Sequence, residues 1–240
     1  MSIKITLIPL MRDNYGYLLE ADDGTVAVLD PSEPGAVIEL LDKRGLGLNF
    51  VFNTHHHGDH IGGNAALKAK YGCKIIGPKA DAHRIPDMDT GLAEGDTFSF
   101  GSDTAQIIET PGHTSGHICL YFPDSAVLFC GDTLFSMGCG RLFEGTAEQM
   151  WQSLSKISTL PDNTMIYCGH EYTAANGAFC LTVEPANSAL QERMKEVEEL
   201  RAANMPTIPV SLGIEKQTNV FLRAGSAARF GEIRHMKDEF

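Results

Sequence analysis

The sequence predicts an α/β layered domain over residues 1–170, followed by a mainly helical extension over 171–240. Three observations predict it. Short β-rich runs alternate with helical stretches up to His170. Three of those runs close on a glycine followed at once by histidine or aspartate. Beyond His170 the apolar residues fall three and four apart, the spacing of one helix face.

In chain order, KITLIPL, GYLLE and TVAVLD read as strands. The opening stretch MSIKITLIPLMRDNYGYLLE alternates apolar with polar residues around Pro9, so it reads as a first strand rather than a signal peptide. A helical stretch at 36–43 follows, then LNFVFNT, a strand that runs into a histidine cluster. NAALKAKYG reads as a helix and CKIIGP as a strand, with DTFSF, AQIIET, HICLYF and AVLFCGD as further strands. Residues 146–160 look helical, and TMIYCGH is the last strand expected. In the extension, NSALQERMKEVEELRAAN sets Leu190, Met194, Val197 and Leu200 on one face, with Ser188 and Gln191 as a capping box. Pro206 and Pro209 then break the helical pattern.

Composition narrows the partners. Lys and Arg number 19 against 31 Asp and Glu, a formal charge of −12, which argues against nucleic acid or an anionic membrane surface. An anionic small substrate would need a local basic pocket. No apolar run approaches the ~20 residues of a spanning helix. The six cysteines (Cys73, Cys119, Cys130, Cys139, Cys168, Cys180) show no CxxC pairing, and Cys119, Cys130 and Cys168 sit in strand-like runs. Buried thiols in a reducing, cytoplasmic location are therefore expected.

The chemistry concentrates in NTHHHGDHIGG, which places His55, His57, Asp59 and His60 within six residues. Zinc-type ions take imidazole and carboxylate donors at about 2.0–2.2 Å, so such donors must converge on a point. His55 and His57, two apart in an extended segment, put both rings on one side. A single sphere shared by all four donors is awkward at these spacings, and two neighbouring metals suit them better. Further donors are expected where a strand run ends in glycine and then a ligand: His113 in IIETPGH, Asp132 in VLFCGD and His170 in MIYCGH. Glycine lets the chain turn sharply there and aim the next side chain into a site. His56, His83 and His235 read as ordinary structural residues, and His117 as a residue that orients a ligand. From spacing alone, Arg234 and Lys237 read as a solvated helix end.

The pattern H-x-H-x-D-H with a later His, Asp and His resembles the ligand set of the metallo-β-lactamase superfamily. IPLMRDNYGYLL, THHHGDHIGGN, GCGRLFEGTAEQMWQSL, CGHEYTAANGAF, VEPAN and IRHMKDEF resemble, over nearly the whole chain, its glyoxalase II (hydroxyacylglutathione hydrolase) family. That resemblance implies a four-layer αβ/βα sandwich with a C-terminal helical extension. It implies two divalent ions, zinc foremost, with iron or manganese also suited to the donors. One would take His55, His57 and His113, the other Asp59, His60 and His170, with Asp132 between them. Asp59 and Asp132 would be the catalytic carboxylates. A glutathione pocket would use Tyr172, Arg141, Phe143, Arg234 and Lys237, the last two at a spacing that lets both cations grip one carboxylate. Some relatives carry Lys and Tyr where this chain has Arg141 and Phe143, so the charge is kept and a hydroxyl is lost. The segment between Arg223 and Arg234 is short.

The implied reaction is hydrolysis of an S-(2-hydroxyacyl)glutathione thioester, the second step of methylglyoxal detoxification, by a monomer that meets neither nucleic acid nor membrane. Other chemistries of the same fold, namely a lactone or β-lactam hydrolase or an iron persulfide dioxygenase, are the nearest rivals. A non-catalytic metal-binding module would be expected to have lost ligands, whereas all seven positions are intact.

Overall fold

A computed structural model describes residues 3–240, so the first two residues of the expected N-terminal strand, Met1 and Ser2, lie outside the described residues. Two compact units are present, Met1–Glu109 with Gly116–Gly131, and Thr110–Ser115 with Asp132–Phe240.

The first unit opens with β1 (Ile3–Leu10), β2 (Asn14–Ala21) and β3 (Val26–Leu29), paired antiparallel. Helix α1 (Pro34–Arg44) begins on a proline, whose missing N–H costs nothing in a first turn, and stops at Gly45 in the left-handed region. It crosses to β4 (Phe50–Phe52), which lies parallel to β3. Helices α2 (Gly58–Ile61) and α3 (Asn64–Tyr71) lead to β5 (Lys74–Pro78), again parallel, and β6 (Thr90–Leu92) completes the order β1-β2-β3-β4-β5-β6. Val37 and Leu41 of α1 and Leu67 of α3 pack with Leu18, Val28, Val51 and Ile75 of the sheet. This βαβ arrangement covers β3 and β4, which accounts for apolar runs there in place of alternation. A meander of β7 (Thr97–Phe100), β8 (Asp103–Glu109), β9 (Ile118–Phe122) and β10 (Val127–Gly131) supplies antiparallel pairs.

The second unit holds the ribbon of β11 (Leu134–Phe135) and β12 (Gly138–Cys139) and helix α4 (Ala147–Ser158), capped by reciprocal hydrogen bonds between Thr146 and Gln149. Then come β13 (Met165–Cys168), α5 (Thr173–Val183), α6 (Ser188–Ala202), β14 (Val210–Ser211), α7 (Leu212–Thr218) and α8 (Ala227–Glu239). The expected helical face of α6 is real, with Leu190, Met194 and Val197 buried. Its cap differs from the expectation. Asn187 accepts from the Leu190 N–H, and Ser188 is already the first helical residue. TMIYCGH is not the last strand, because β14 pairs antiparallel with β13. Strands of two or three residues (β6, β11, β12, β14) carry too few positions for a period to show.

All six cysteines are free and buried. Burial pushes the Cys139 thiol up to about 11 and those of Cys168 and Cys180 up to about 12, so these three stay protonated near neutrality. Among the described residues no helix is long and apolar enough to cross a membrane.

Candidate metal centre

In the first unit the donors follow β4. The chain leaves the sheet through Asn53 and Thr54, and His57 becomes the N-cap of α2, its carbonyl accepting from the N–H of His60 and of Ile61. His55 and His60 are buried, while His57 and Asp59 are partly exposed. His55 Nε2 lies 3.1 Å from His57 Nδ1, the two rings at a steep angle. Asn14 donates to the backbone carbonyl of Asp59 at 3.0 Å and to its Oδ2 at 3.1 Å, tying that carboxylate to β2.

Asp30, absent from the expected set, organises these rings. Its Oδ1 accepts from the Thr54 N–H at 2.8 Å and its Oδ2 from the Thr54 hydroxyl at 2.7 Å. The hydroxyl proton being so used, Thr54 Oγ1 is an acceptor toward His55 Nδ1, 3.0 Å away. The proton of His55 then sits on Nδ1 and the Nε2 lone pair turns toward His57. His60 Nδ1 is 3.1 Å from Asp30 Oδ2, so the same carboxylate faces the second buried ring. His117 is buried and stacks on His55 at 4.9 Å, in line with an orienting role. The glycines after the cluster have a steric cause. A Cβ on Gly62 would lie 2.3 Å from the Ser32 carbonyl oxygen, so only glycine lets α2 settle on the loop after Asp30. His56 pairs with the buried Asp81 at 2.8 Å, and His235 with Glu239 at 3.4 Å, both ordinary structural uses. His83 is exposed.

The turn devices are unequal. Gly131 has φ +44, and a Cβ there would press on Thr54 Oγ1 at 2.3 Å and His117 Nε2 at 2.8 Å. Gly112 also has a positive φ, whereas Gly169 is not among the residues with one. The third repeat of the strand–Gly–ligand pattern therefore needs no left-handed turn.

In the second unit His113, Asp132 and His170 are all buried. His113 Nε2 and His170 Nε2 each lie 3.4 Å from the same atom, Asp132 Oδ2. That separation is long for a hydrogen bond. Two tetrahedral ligands at about 2.1 Å from one ion sit roughly 3.4 Å apart, so the spacing fits a carboxylate oxygen shared between two cations. His113 Nδ1 faces the Arg141 carbonyl at 3.0 Å, which places its proton there and leaves Nε2 as the donor. The His170 ring stacks on Tyr172 at 4.7 Å and meets the edge of Phe135 at 5.9 Å. Nitrogen and carboxylate donors of this kind suit zinc, iron or manganese.

Of the residues expected to meet substrate, Phe143 and Tyr172 set their rings against these donors. Phe143, 62% exposed, sets its ring edge-on to His113 at 5.2 Å. Tyr172 also touches Phe135 at 5.3 Å. Arg234 is not a solvated helix end. It is 5% exposed, donates to the Cys139 carbonyl at 3.0 Å and to Asp238 Oδ1 at 2.9 Å, and lies over the Phe221 ring. Arg141, largely exposed, has Nε 3.8 Å from the same Asp238 oxygen. Lys237 donates to the Ala175 carbonyl at 3.2 Å and sits over Phe179 and Phe240. Burial, with Arg234 adding to it, holds the Lys237 ammonium below the usual lysine range.

Residues 12–170 match the metallo-beta-lactamase superfamily model, and residues 171–240 match the model of the hydroxyacylglutathione hydrolase C-terminus. The chain is 50% identical to the hydroxyacylglutathione hydrolase of Methylococcus capsulatus, across 99% of each chain. It is 48% identical to that of Rhizobium meliloti, across 100% of this chain and 99% of the other. Its fold is similar to the crystal structure of ETHE1 from Myxococcus xanthus, with TM-score 0.74 and 24% identity over 98% of this chain and 90% of that one.

Proposed function

Since the chain belongs to the metallo-beta-lactamase superfamily, and within it to the hydroxyacylglutathione hydrolases, we propose that its metal centre is built from all seven expected donors. The enzyme is a thioester hydrolase that cleaves S-(2-hydroxyacyl)glutathione to glutathione and a 2-hydroxy acid. One ion would take His55, His57 and His113 and the other Asp59, His60 and His170. Asp132 would serve both ions, and the observation that carries this assignment is its single oxygen equidistant from two imidazoles. Zinc is the ion proposed.

Divalent cations held there supply Lewis acidity, which makes water a nucleophile near neutral pH and draws charge from a carbonyl oxygen. The side chains do the rest. Asp59, tethered by Asn14, accepts a hydrogen bond from the attacking water and so aims it at the thioester carbon. The departing thiolate, whose conjugate acid has a pKa near 8.5, leaves without a dedicated acid. Arg141 and Lys237 meet the carboxylates of the glutathione moiety, Tyr172 lines its path beside His170, and Arg234 keeps the last helix docked on Cys139. Phe143 covers His113 but offers no hydroxyl to the peptide. A reducing cytoplasm accords with six buried free thiols, and the chain is proposed to act as a monomer.

Metal analysis of purified protein is expected to find about two divalent ions per chain. S-lactoylglutathione hydrolysis should be lost on stripping and restored by zinc, with no turnover of a β-lactam control. One iron per chain with oxygen uptake would instead establish the dioxygenase chemistry.

Lys237→Ala should raise KM roughly tenfold and leave kcat within about twofold, because the contact is remote from the reacting carbon. In the intact enzyme the depressed Lys237 pKa means its charge is lost at lower pH than an exposed lysine's. KM should therefore begin to climb on the alkaline side below the ordinary lysine range, and that climb should vanish in the variant. An unchanged KM would remove Lys237 from the pocket.

A further inference from the structure

Glu215 of α7 is a buried carboxylate that the hydrolytic chemistry leaves unused. Three groups donate to it: the Ser136 hydroxyl to Oε1 at 2.8 Å, the Met137 N–H to Oε2 at 2.8 Å, and the Asn219 amide to Oε2 at 3.0 Å. Burial pushes its carboxyl above the usual range, while these donors and the charge of Arg193 pull the other way. A carboxylate offers enough lone pairs for all three donors, and such bonds strengthen with the charge on the acceptor.

The Ser136 and Met137 contacts fall on the turn between β11 and β12. Asn219 also donates to the carbonyls of Phe135 and Gly138, at 3.2 and 3.0 Å, and Asn176 donates to that of Ser136 at 3.2 Å. Met137 adopts φ +54, a conformation an unbranched side chain takes only when its surroundings hold it there. The turn is therefore fastened from α5 and α7 by side chains. On its near side Phe135, three residues after Asp132, sets its ring against His170 and Tyr172.

We propose that Glu215 is a positioning residue, clamping the Phe135–Gly138 turn so that Phe135 holds the His170 and Tyr172 rings in register with Asp132. This rests on the reading of Asp132 and His170 as metal donors. Glu215 touches neither substrate nor metal.

The test compares the wild-type holoprotein with Glu215→Gln and Ser136→Ala, using zinc affinity by chelator competition, kcat, KM and the thermal midpoint. In Glu215→Gln the amide oxygen can keep Met137 and Asn219 while the NH₂ turns to the Ser136 hydroxyl oxygen, so the three bonds lose their charge assistance and the turn loosens. Zinc affinity and kcat should each fall about tenfold, the effect of losing a supporting hydrogen-bond partner, with KM within about twofold. Ser136→Ala removes one donor, with little change in midpoint, and should move zinc affinity and kcat the same way by about two- to threefold. A lower midpoint with wild-type zinc affinity and kcat in both variants overturns the proposal and leaves Glu215 a purely structural residue. If Glu215→Gln does not fold, Ser136→Ala decides by the same two measurements. Absence of thioesterase activity in the wild type would count against the substrate reading alone, since the zinc comparison still decides the role of Glu215.

Discussion

Asp132→Ala should lose metal and turnover together, with kcat/KM for S-lactoylglutathione down by on the order of 10³-fold. The expectation follows from one atom. Asp132 Oδ2 stands 3.4 Å from both His113 Nε2 and His170 Nε2, so on the proposed assignment deleting it would take a donor from each of two ions at once. Deleting an imidazole such as His113 removes a donor from one ion only and should leave about one equivalent of metal behind. Metal content by elemental analysis and turnover of the folded variant check the claim. Normal loading with full activity would contradict the shared-oxygen role.

Asp30→Ala carries the second large effect, although Asp30 is no ligand. Alanine would leave the buried N–H and hydroxyl of Thr54 without their acceptor and remove the carboxylate opposite His60. At about 1–3 kcal/mol for each orphaned donor, the loss of stability should reach roughly 2–6 kcal/mol. Alanine is also less at ease than aspartate at the φ of +47 found here. Freed of their orienting partner, His55 and His60 should bind zinc about 10–100-fold more weakly. Chemical denaturation and chelator competition measure the two effects separately. A variant as stable as the parent, with the same zinc affinity, would show that the Thr54–Asp30 pair does not govern the rings.

The proposed ligands and the orienting His117 were legible in the sequence, and their other supports were not. His55, His57, Asp59 and His60 announce themselves because so many titratable side chains crowded into six residues, two of them buried, call for a shared partner such as a metal. His113, Asp132 and His170 follow from repeated strand ends, though Gly169 shows that the same three letters can arise without a left-handed turn. The major strands and α6 followed from their periods. Glu215 and Asp30 stayed hidden because each acts on a distant part of the chain: Glu215 meets Ser136 across 79 positions and Asp30 meets Thr54 across 24. No local pattern encodes such a pairing. Asp30 also ends a strand run, TVAVLD, but without the glycine that marks His113, Asp132 and His170. Arg234 misled for a related reason. Its spacing with Lys237 describes α8 alone, whereas its burial is set by Cys139 and Phe221, which lie elsewhere in the chain. The cap of α6 failed by one residue, the scale at which Asn187 and Ser188 compete equally well on paper.

The enclosed thiols give the chain a built-in clock for its own opening. Cys73, Cys119 and Cys130 belong to the first unit, and Cys139, Cys168 and Cys180 to the second. A thiol-specific dye added to the native protein should meet no exposed thiol, so its uptake would measure how often each region breathes. Mass mapping of the labelled peptides would then time the two halves independently, with no engineered probe, and would reveal whether they let go as one or in turn.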